Sequence, residues 1–213
     1  MAGKRISGIY AVTPENEDTA ELVASVTAVL KGGASVVQYR NKSTPYAMQR
    51  MQCMALLACV RAYQGLLIVN DDSRLALDVG ADGVHLGKSD ESVEAARGRV
   101  GSNMIIGVSC YNDLERARTA QSAGADYIAF GSFFSSPTKP RALQAPLELL
   151  GSAKAELEVP IVAIGGINMD NATTLIDAGA DALAIVSGIF RSGDIEHETR
   201  ALAGLFSSSK SRH

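Results

Sequence analysis

Gln38, Arg40 and Lys42 recur at a spacing of two in Val36-Val37-Gln38-Tyr39-Arg40-Asn41-Lys42. On a β-strand alternate side chains share a face, so Gln38 and Arg40 project together. Lys42 extends the line past the strand end. An amide and two cations converging on one place suit an anion; taken alone, they also fit a solvated strand end. Asp71 and Asp90 lie on successive loops, in Asn70-Asp71-Asp72-Ser73 and Gly87-Lys88-Ser89-Asp90. Two such carboxylates can share one Mg²⁺, which takes one or two protein carboxylates and completes its octahedron with water and phosphate oxygens. Each alone also fits a helix N-cap, Asp71 ahead of Ser73 and Asp90 ahead of Val93. Gly165-Gly166-Ile167 and Val186-Ser187-Gly188 offer backbone N–H groups of the kind that cradle phosphate, tight turns being the alternative. Two anion sites emerge. One is cationic and metal-assisted, suited to a diphosphate; the other is built from amides and hydroxyls, suited to a monophosphate.

Other chemistries lack their players. His85 sits mid-strand between Val84 and Leu86 and reads as a hydrogen-bonded structural histidine, while His197 and His213 lie near the chain end. Cys110 follows Ser109 with nothing visible to lower its pKa. No lysine falls within a predicted strand, as a Schiff-base aldolase would require. What remains is chemistry driven by positioning and charge: loss of a diphosphate leaving group.

The elements that must position these residues are short apolar runs alternating with helical patterns. Strands are predicted at Ile9 to Thr13, Val36 to Tyr39, Leu66 to Asn70, Gly83 to Leu86, Ile105 to Ser109, Tyr127 to Gly131, Ile161 to Ile164 and Ala182 to Val186. Leu22, Val23, Val26, Val29 and Leu30 keep the helical period, and Met48, Met51, Met54, Ala55 and Ala58 form a stripe expected to pack into the core. Apolar strands alternating with helices indicate a parallel sheet covered by helices. Eight units without a linker predict one α/β domain over residues 1–213, a (β/α)8 TIM barrel, with a doubly wound open sheet as the competitor. Gly32-Gly33-Ala34-Ser35, Gly80-Ala81-Asp82, Gly124-Ala125-Asp126 and Gly179-Ala180-Asp181 precede every second strand. Their glycines suit left-handed helix C-caps, so Asp82, Asp126 and Asp181 are read as scaffold. Most strand C-termini are instead polar or glycine-rich, where barrels place their sites.

The chain has 213 residues, 46% hydrophobic and 20% charged, with net charge −3. That balance supports a packed core and disfavours a general nucleic-acid or anionic-membrane binder. No stretch approaches the roughly 18 apolar residues of a membrane span. Cys53, Cys59 and Cys110 lack metal-ligand spacing and read as reduced thiols of a cytoplasmic protein. A short flexible N-terminus and a polar tail from about residue 207 are expected. Homo-oligomerisation is left open.

Tyr10-Ala11-Val12-Thr13, Gln38-x-Arg40-x-Lys42, Asn70-Asp71, Gly83-Val84-His85-Leu86-Gly87, Gly107-Val108-Ser109, Thr138-Lys139 and Val162-Ala163-Ile164-Gly165-Gly166-Ile167 occur in that order. Together they resemble the thiamine-phosphate synthase (thiamine-phosphate pyrophosphorylase) family of thiamine biosynthesis, from about Tyr10 to Phe190. The resemblance implies a transferase that joins hydroxymethylpyrimidine diphosphate to a thiazole phosphate, plain or carboxylated, and releases pyrophosphate. It implies one Mg²⁺ per subunit, held by Asp71 and Asp90. Gln38, Arg40, Lys42, Asn70, Ser109 and Lys139 would hold the pyrimidine diphosphate, with Tyr39 and Asn41 completing the motif as members that point the other way. Arg40, Lys42, Ser109 and Lys139 would act in catalysis. Ser136, Pro137, Thr138, Gly166, Val186 and Ser187 would hold the thiazole phosphate. Two positions depart from the family pattern. Ser136-Pro137 stands where Thr-x is usual, and Lys88 where glutamine is frequent.

Overall fold

The computed structural model describes residues 6–135 and 144–210. Eight strands occur along them: β1 (Gly8–Val12), β2 (Val36–Tyr39), β3 (Leu66–Asn70), β4 (Gly83–Leu86), β5 (Ile105–Tyr111), β6 (Tyr127–Phe130), β7 (Ile161–Ile164) and β8 (Ala182–Ile185). The helices are α1 (Thr19–Lys31), α2 (Tyr46–Ala62), α3 (Ser73–Val79), α4 (Val93–Val100), α5 (Leu114–Ser122), α6 (Glu148–Glu156), α7 (Ala172–Asp177), the short α8 (Ser187–Phe190) and α9 (Ile195–Lys210). Every strand runs parallel to its neighbours, and β1 pairs with β8 from Gly8↔Ala182 to Ala11↔Ile185. That last pairing closes the sheet as a barrel and rules out the open-sheet alternative. The expected boundaries hold to within one or two residues. β5 runs furthest, to Tyr111, across a register shift between Ser109 and Tyr111.

Strand alternation divides the core in two. Tyr10, Val12, Val36, Ile68, Tyr127, Ala129, Val162 and Ala184 fill the barrel interior. Val37, Leu67, Val69, Ile128 and Leu183 point outward and pack on helix residues such as Val26, Leu56, Val60, Leu75, Leu150 and Leu202. Truncating one of these, Leu56→Ala for example, leaves a cavity and costs about 2–5 kcal/mol.

α1 buries Leu22, Val26, Val29 and Leu30 as its periodicity requires. The methionine stripe of α2 does not follow its expectation: Met51 and Met54 are 49% and 50% exposed. The barrel face of α2 carries Gln52, Cys53, Leu56, Leu57 and Val60, and its branched leucine and valine side chains, more apolar than methionine, take the buried orientation. α9 runs as helix to Lys210. Leu202 is buried and Leu205 and Phe206 pack on the core, so the following serines extend an anchored helix.

The glycine–alanine–aspartate repeats lie at the N-terminal end of the barrel. Gly33, Gly80, Gly124 and Gly179 all take positive φ. Asp82, Asp126 and Asp181 accept backbone hydrogen bonds from Leu67, Ile106 and Ile161 at 2.9, 2.7 and 2.8 Å. Each therefore ties the turn before one strand to the start of the strand beside it. They are scaffold residues.

Candidate active site

The inner-face register that carries Val36 and Ile68 also carries the chemistry to the other end. Gln38 follows Val36 inward and is buried, and Arg40 continues the same face just beyond β2. Thr13 fixes the mouth at this point. Its N–H donates to the Gln38 carbonyl at 2.9 Å, and its Oγ1 accepts the Arg40 N–H at 3.0 Å. Tyr39 and Asn41 point the opposite way. The Tyr39 hydroxyl donates to Gln52 Oε1 at 2.7 Å, and Asn41 Nδ2 donates to Asn16 O and Gln52 Oε1 at 3.0 and 3.2 Å. Both are engaged with α2 and the β1–α1 loop, so they brace the strand end rather than face the main cavity.

Gln38, Arg40, Asn70, Ser109, Asp90, Gly166, Val186 and Ser187, named from six different strand ends, line one cavity of ≈ 1520 Å³ at the C-terminal mouth of the barrel. Lys42 and Asp71 line a smaller neighbouring cavity, with Asn70 in the wall of both. Lys42 Nζ stands 2.5 Å from Asp71 Oδ2, and Arg40 Nη1 is 3.1 Å from Glu15 Oε1. Lys88 is exposed at the rim. Ser136, Pro137, Thr138 and Lys139 lie outside the described residues.

The two candidate metal carboxylates are not helix caps. Asp72 caps α3 by accepting from the N–H groups of Arg74 and Leu75, and Ser92 caps α4 by accepting from Ala95 N–H. Asp71 is freed by its own backbone, which takes φ 66° and donates its N–H to the His85 carbonyl at 2.8 Å. Aspartate tolerates that left-handed conformation better than most residues. Asp90 Oδ2 accepts the Gly87 N–H at 2.6 Å. Burial raises the Asp90 pKa first, with the adjacent Asp71 carboxyl adding to it; the Gly87 N–H and Lys42 pull the other way. The two acidic side chains therefore meet at one place. Among the described residues no cluster of three or more His, Cys, Asp or Glu side chains gathers. A pair of carboxylates is the donor set magnesium asks of a protein when phosphate oxygens supply the rest, so the residues fit that ion.

His85 is structural, as expected, but it also lies in the wall of the main cavity. Its Nε2 is 2.8 Å from Ser109 Oγ and its Nδ1 2.9 Å from the Tyr127 hydroxyl. Burial lowers its pKa to about 4 against the opposing pull of Asp71, so the ring is neutral near pH 7. Cys110 points away from the cavity, and burial pushes its thiol up to about 12 despite nearby Arg116.

The chain matches the family described as "Thiamine monophosphate synthase" over residues 9–189. That span is most of the chain. The chain belongs to this family. A thiamine-phosphate synthase of Methylobacillus flagellatus is 50% identical over 201 residues, covering 94% of this chain and 96% of that protein. One from Nitrosospira multiformis is 48% identical over 203 residues, covering 95% and 87%. Among solved structures, thiamine phosphate pyrophosphorylase from Pyrococcus furiosus superposes with a TM-score of 0.87 at 34% identity, covering 96% of this chain and 98% of that one. The chain is thus an enzyme of the thiamine-phosphate synthase class, a transferase of thiamine biosynthesis. No helix among the described residues is long and apolar enough to cross a membrane.

The lining residues given no role from the sequence include Tyr10, Tyr127 and Glu15. Tyr10 and Tyr127 are apolar-looking members of strands, and their hydroxyls meet only once the barrel closes. Glu15 lies on a loop, where no periodicity assigns a direction.

Proposed function

We propose that this protein couples hydroxymethylpyrimidine diphosphate to a thiazole phosphate, giving thiamine phosphate and pyrophosphate. The carrying observation is the convergence at one barrel mouth of Gln38, Arg40, Asn70 and Ser109 with Asp90, beside the paired Lys42 and Asp71. Magnesium held by Asp71 and Asp90 would neutralise diphosphate charge. Arg40 and Lys42, with Lys139 supplied by the segment outside the described residues, hold the leaving group by charge-assisted hydrogen bonds. These bonds strengthen as negative charge builds on the departing diphosphate, so they lower the barrier more than they tighten the ground state. Departure leaves a pyrimidine methylene cation stabilised by its own ring amino group, and the thiazole nitrogen attacks it. Apolar walls from Val12, Ile164 and Val186 line the same cavity and limit water near that cation.

The thiazole phosphate belongs at the opposite rim. Barrels commonly bind phosphate with the loops after strands seven and eight and a short extra helix. Gly166, Val186 and Ser187 with α8 have that arrangement, and Ser136, Pro137 and Thr138 complete it on the sequence reading. The site takes small molecules, and a cytoplasmic location suits its reduced thiols.

A rival reading, a thiazole tautomerase-like relative, would share the barrel, lack the Gln38-Arg40-Lys42 set that this chain carries and use a histidine near its site. His85 is near, but both its ring nitrogens are hydrogen-bonded, so it is poorly placed to accept a substrate proton. Purified protein with Mg²⁺ and both substrates should release pyrophosphate and form thiamine phosphate, with either substrate alone as control. Pyrophosphate at the level of a no-enzyme blank would sink this reading.

A further inference from the structure

A chain of hydrogen bonds crosses the barrel interior beneath the cavity and joins two residues assigned to the pyrimidine diphosphate. Gln38 Nε2 donates to the Tyr10 hydroxyl at 2.7 Å, which meets the Tyr127 hydroxyl at 2.7 Å. Tyr127 meets His85 Nδ1 at 2.9 Å, and His85 Nε2 meets Ser109 Oγ at 2.8 Å. Tyr10 and Tyr127 are 1% and 0% exposed, and Gln38 and His85 are also buried. Space for the chain is built into the strands. A Cβ on Gly107 would stand 1.9 Å from Cζ of Tyr127, so only glycine lets that ring cross over β5. The His85 and Tyr127 rings stack with centroids 5.5 Å apart.

Such a chain has direction. A hydroxyl carries one proton, and a neutral imidazole donates from one nitrogen and accepts at the other. Because Gln38 donates its amide N–H to Tyr10, Tyr10 must donate to Tyr127, and Tyr127 to His85 Nδ1. His85 then carries its proton on Nε2 and donates to Ser109 Oγ. The Ser109 proton is left to point into the cavity, and Gln38 Oε1, which takes no hydrogen bond among the described residues, is left as an acceptor. Reversing the amide reverses every link, exposing a Gln38 donor and a Ser109 acceptor instead. No mixed arrangement satisfies all five groups, and a buried unmet donor or acceptor costs more than a made hydrogen bond returns.

We propose that Tyr10, Tyr127 and His85 are positioning residues that fix the site's hydrogen-bond polarity, holding Ser109 as a donor and the Gln38 amide oxygen as an acceptor. This deepens the function proposed above and rests on it. An anionic diphosphate oxygen requires a donor, and a ring amino group on a pyrimidine requires an acceptor. The forward polarity supplies both; the reverse supplies neither.

The ¹⁵N spectrum of His85 in the full-length, substrate-free protein reads the polarity directly. Protonation at Nε2 with a bare Nδ1 is expected; a proton on Nδ1, or a doubly protonated ring, would overturn the proposal. That spectrum needs no turnover, so its failure is distinct from failure of the synthase assay. Tyr127→Phe keeps the ring and removes the link. It should lower kcat on the order of tenfold or more, the loss of one hydrogen bond to a developing charge. KM for the thiazole phosphate should be unchanged, and the His85 tautomer should become mixed. A purely structural Tyr127 would lower the urea midpoint while leaving kcat and the tautomer alone, and that result would also overturn the proposal. If the variant fails to fold, the wild-type spectrum still decides.

Discussion

Lys42 Nζ lies 2.5 Å from Asp71 Oδ2, so the cation assigned to the leaving group is neutralised by the carboxylate assigned to the metal. A divalent ion at Asp71 and Asp90 would draw that carboxylate toward itself and leave Lys42 to face the diphosphate. The pair is 55% and 27% exposed, and pairs of this kind contribute little to stability.

Asp71→Ala should therefore lower synthase activity at least about tenfold, with part of the loss restored by raising Mg²⁺. Asp82→Ala should stay active while losing about 1 kcal/mol of stability, since Asp82 accepts the Leu67 N–H at the far end of the barrel. Steady-state rates across a Mg²⁺ series, beside urea melts, make the comparison. Equal activity loss in both variants would erase the separation between site and scaffold.

Glu15 pairs with Arg40 at 3.1 Å with both side chains partly exposed. Replacing it by glutamine removes a competitor for the guanidinium. Glu15→Gln should bind pyrophosphate about twofold to fivefold more tightly, the range for an exposed ion pair. Calorimetric titration would show it, and unchanged or weaker binding counts against the idea.

Buried His85 has its pKa lowered from 6.5 to about 4. The unfolded chain takes up a proton below about pH 6.5 that the folded chain refuses until about pH 4. Stability from this group is thus complete above the unfolded value and falls as pH drops through that window, by about 3 kcal/mol in all. Urea midpoints at successive pH values, for wild type and His85→Asn, should show the slope only in wild type.

Cys53 and Cys110 are buried, and burial pushes each thiol up to about 12. Cys59 is half-buried and hydrogen-bonds Thr27 Oγ1. A disulfide reagent at pH 8 should find at most one quickly reacting thiol in the native protein and all 3 in urea. Fast labelling of Cys110 would contradict its packing.

Much of the site was legible because barrels deliver chemistry at strand ends and strands alternate. Gln38 and Arg40 share a face with Val36 by period alone, and Asn70 and Ser109 follow their own strands inward. Asp71 and Asp90 could be named but not separated from helix caps. Only the backbone showed Asp72 and Ser92 doing the capping. The methionine stripe misled because a helix turns one face inward, and the face with Leu56, Leu57 and Val60 took it.

Sequence alone, then, determined the eight strands, their order, the scaffold aspartates and the polar mouth, all consequences of local periodicity and turn chemistry. The tertiary structure decided what depends on closure. β1 meets β8, which brings Tyr10 of the first strand against Tyr127 of the sixth. That contact spans 117 residues of chain, and no local pattern encodes a distance across the barrel. The direction of the hydrogen bonds running through it is likewise a property of the assembled interior, where each buried polar group must find its partner.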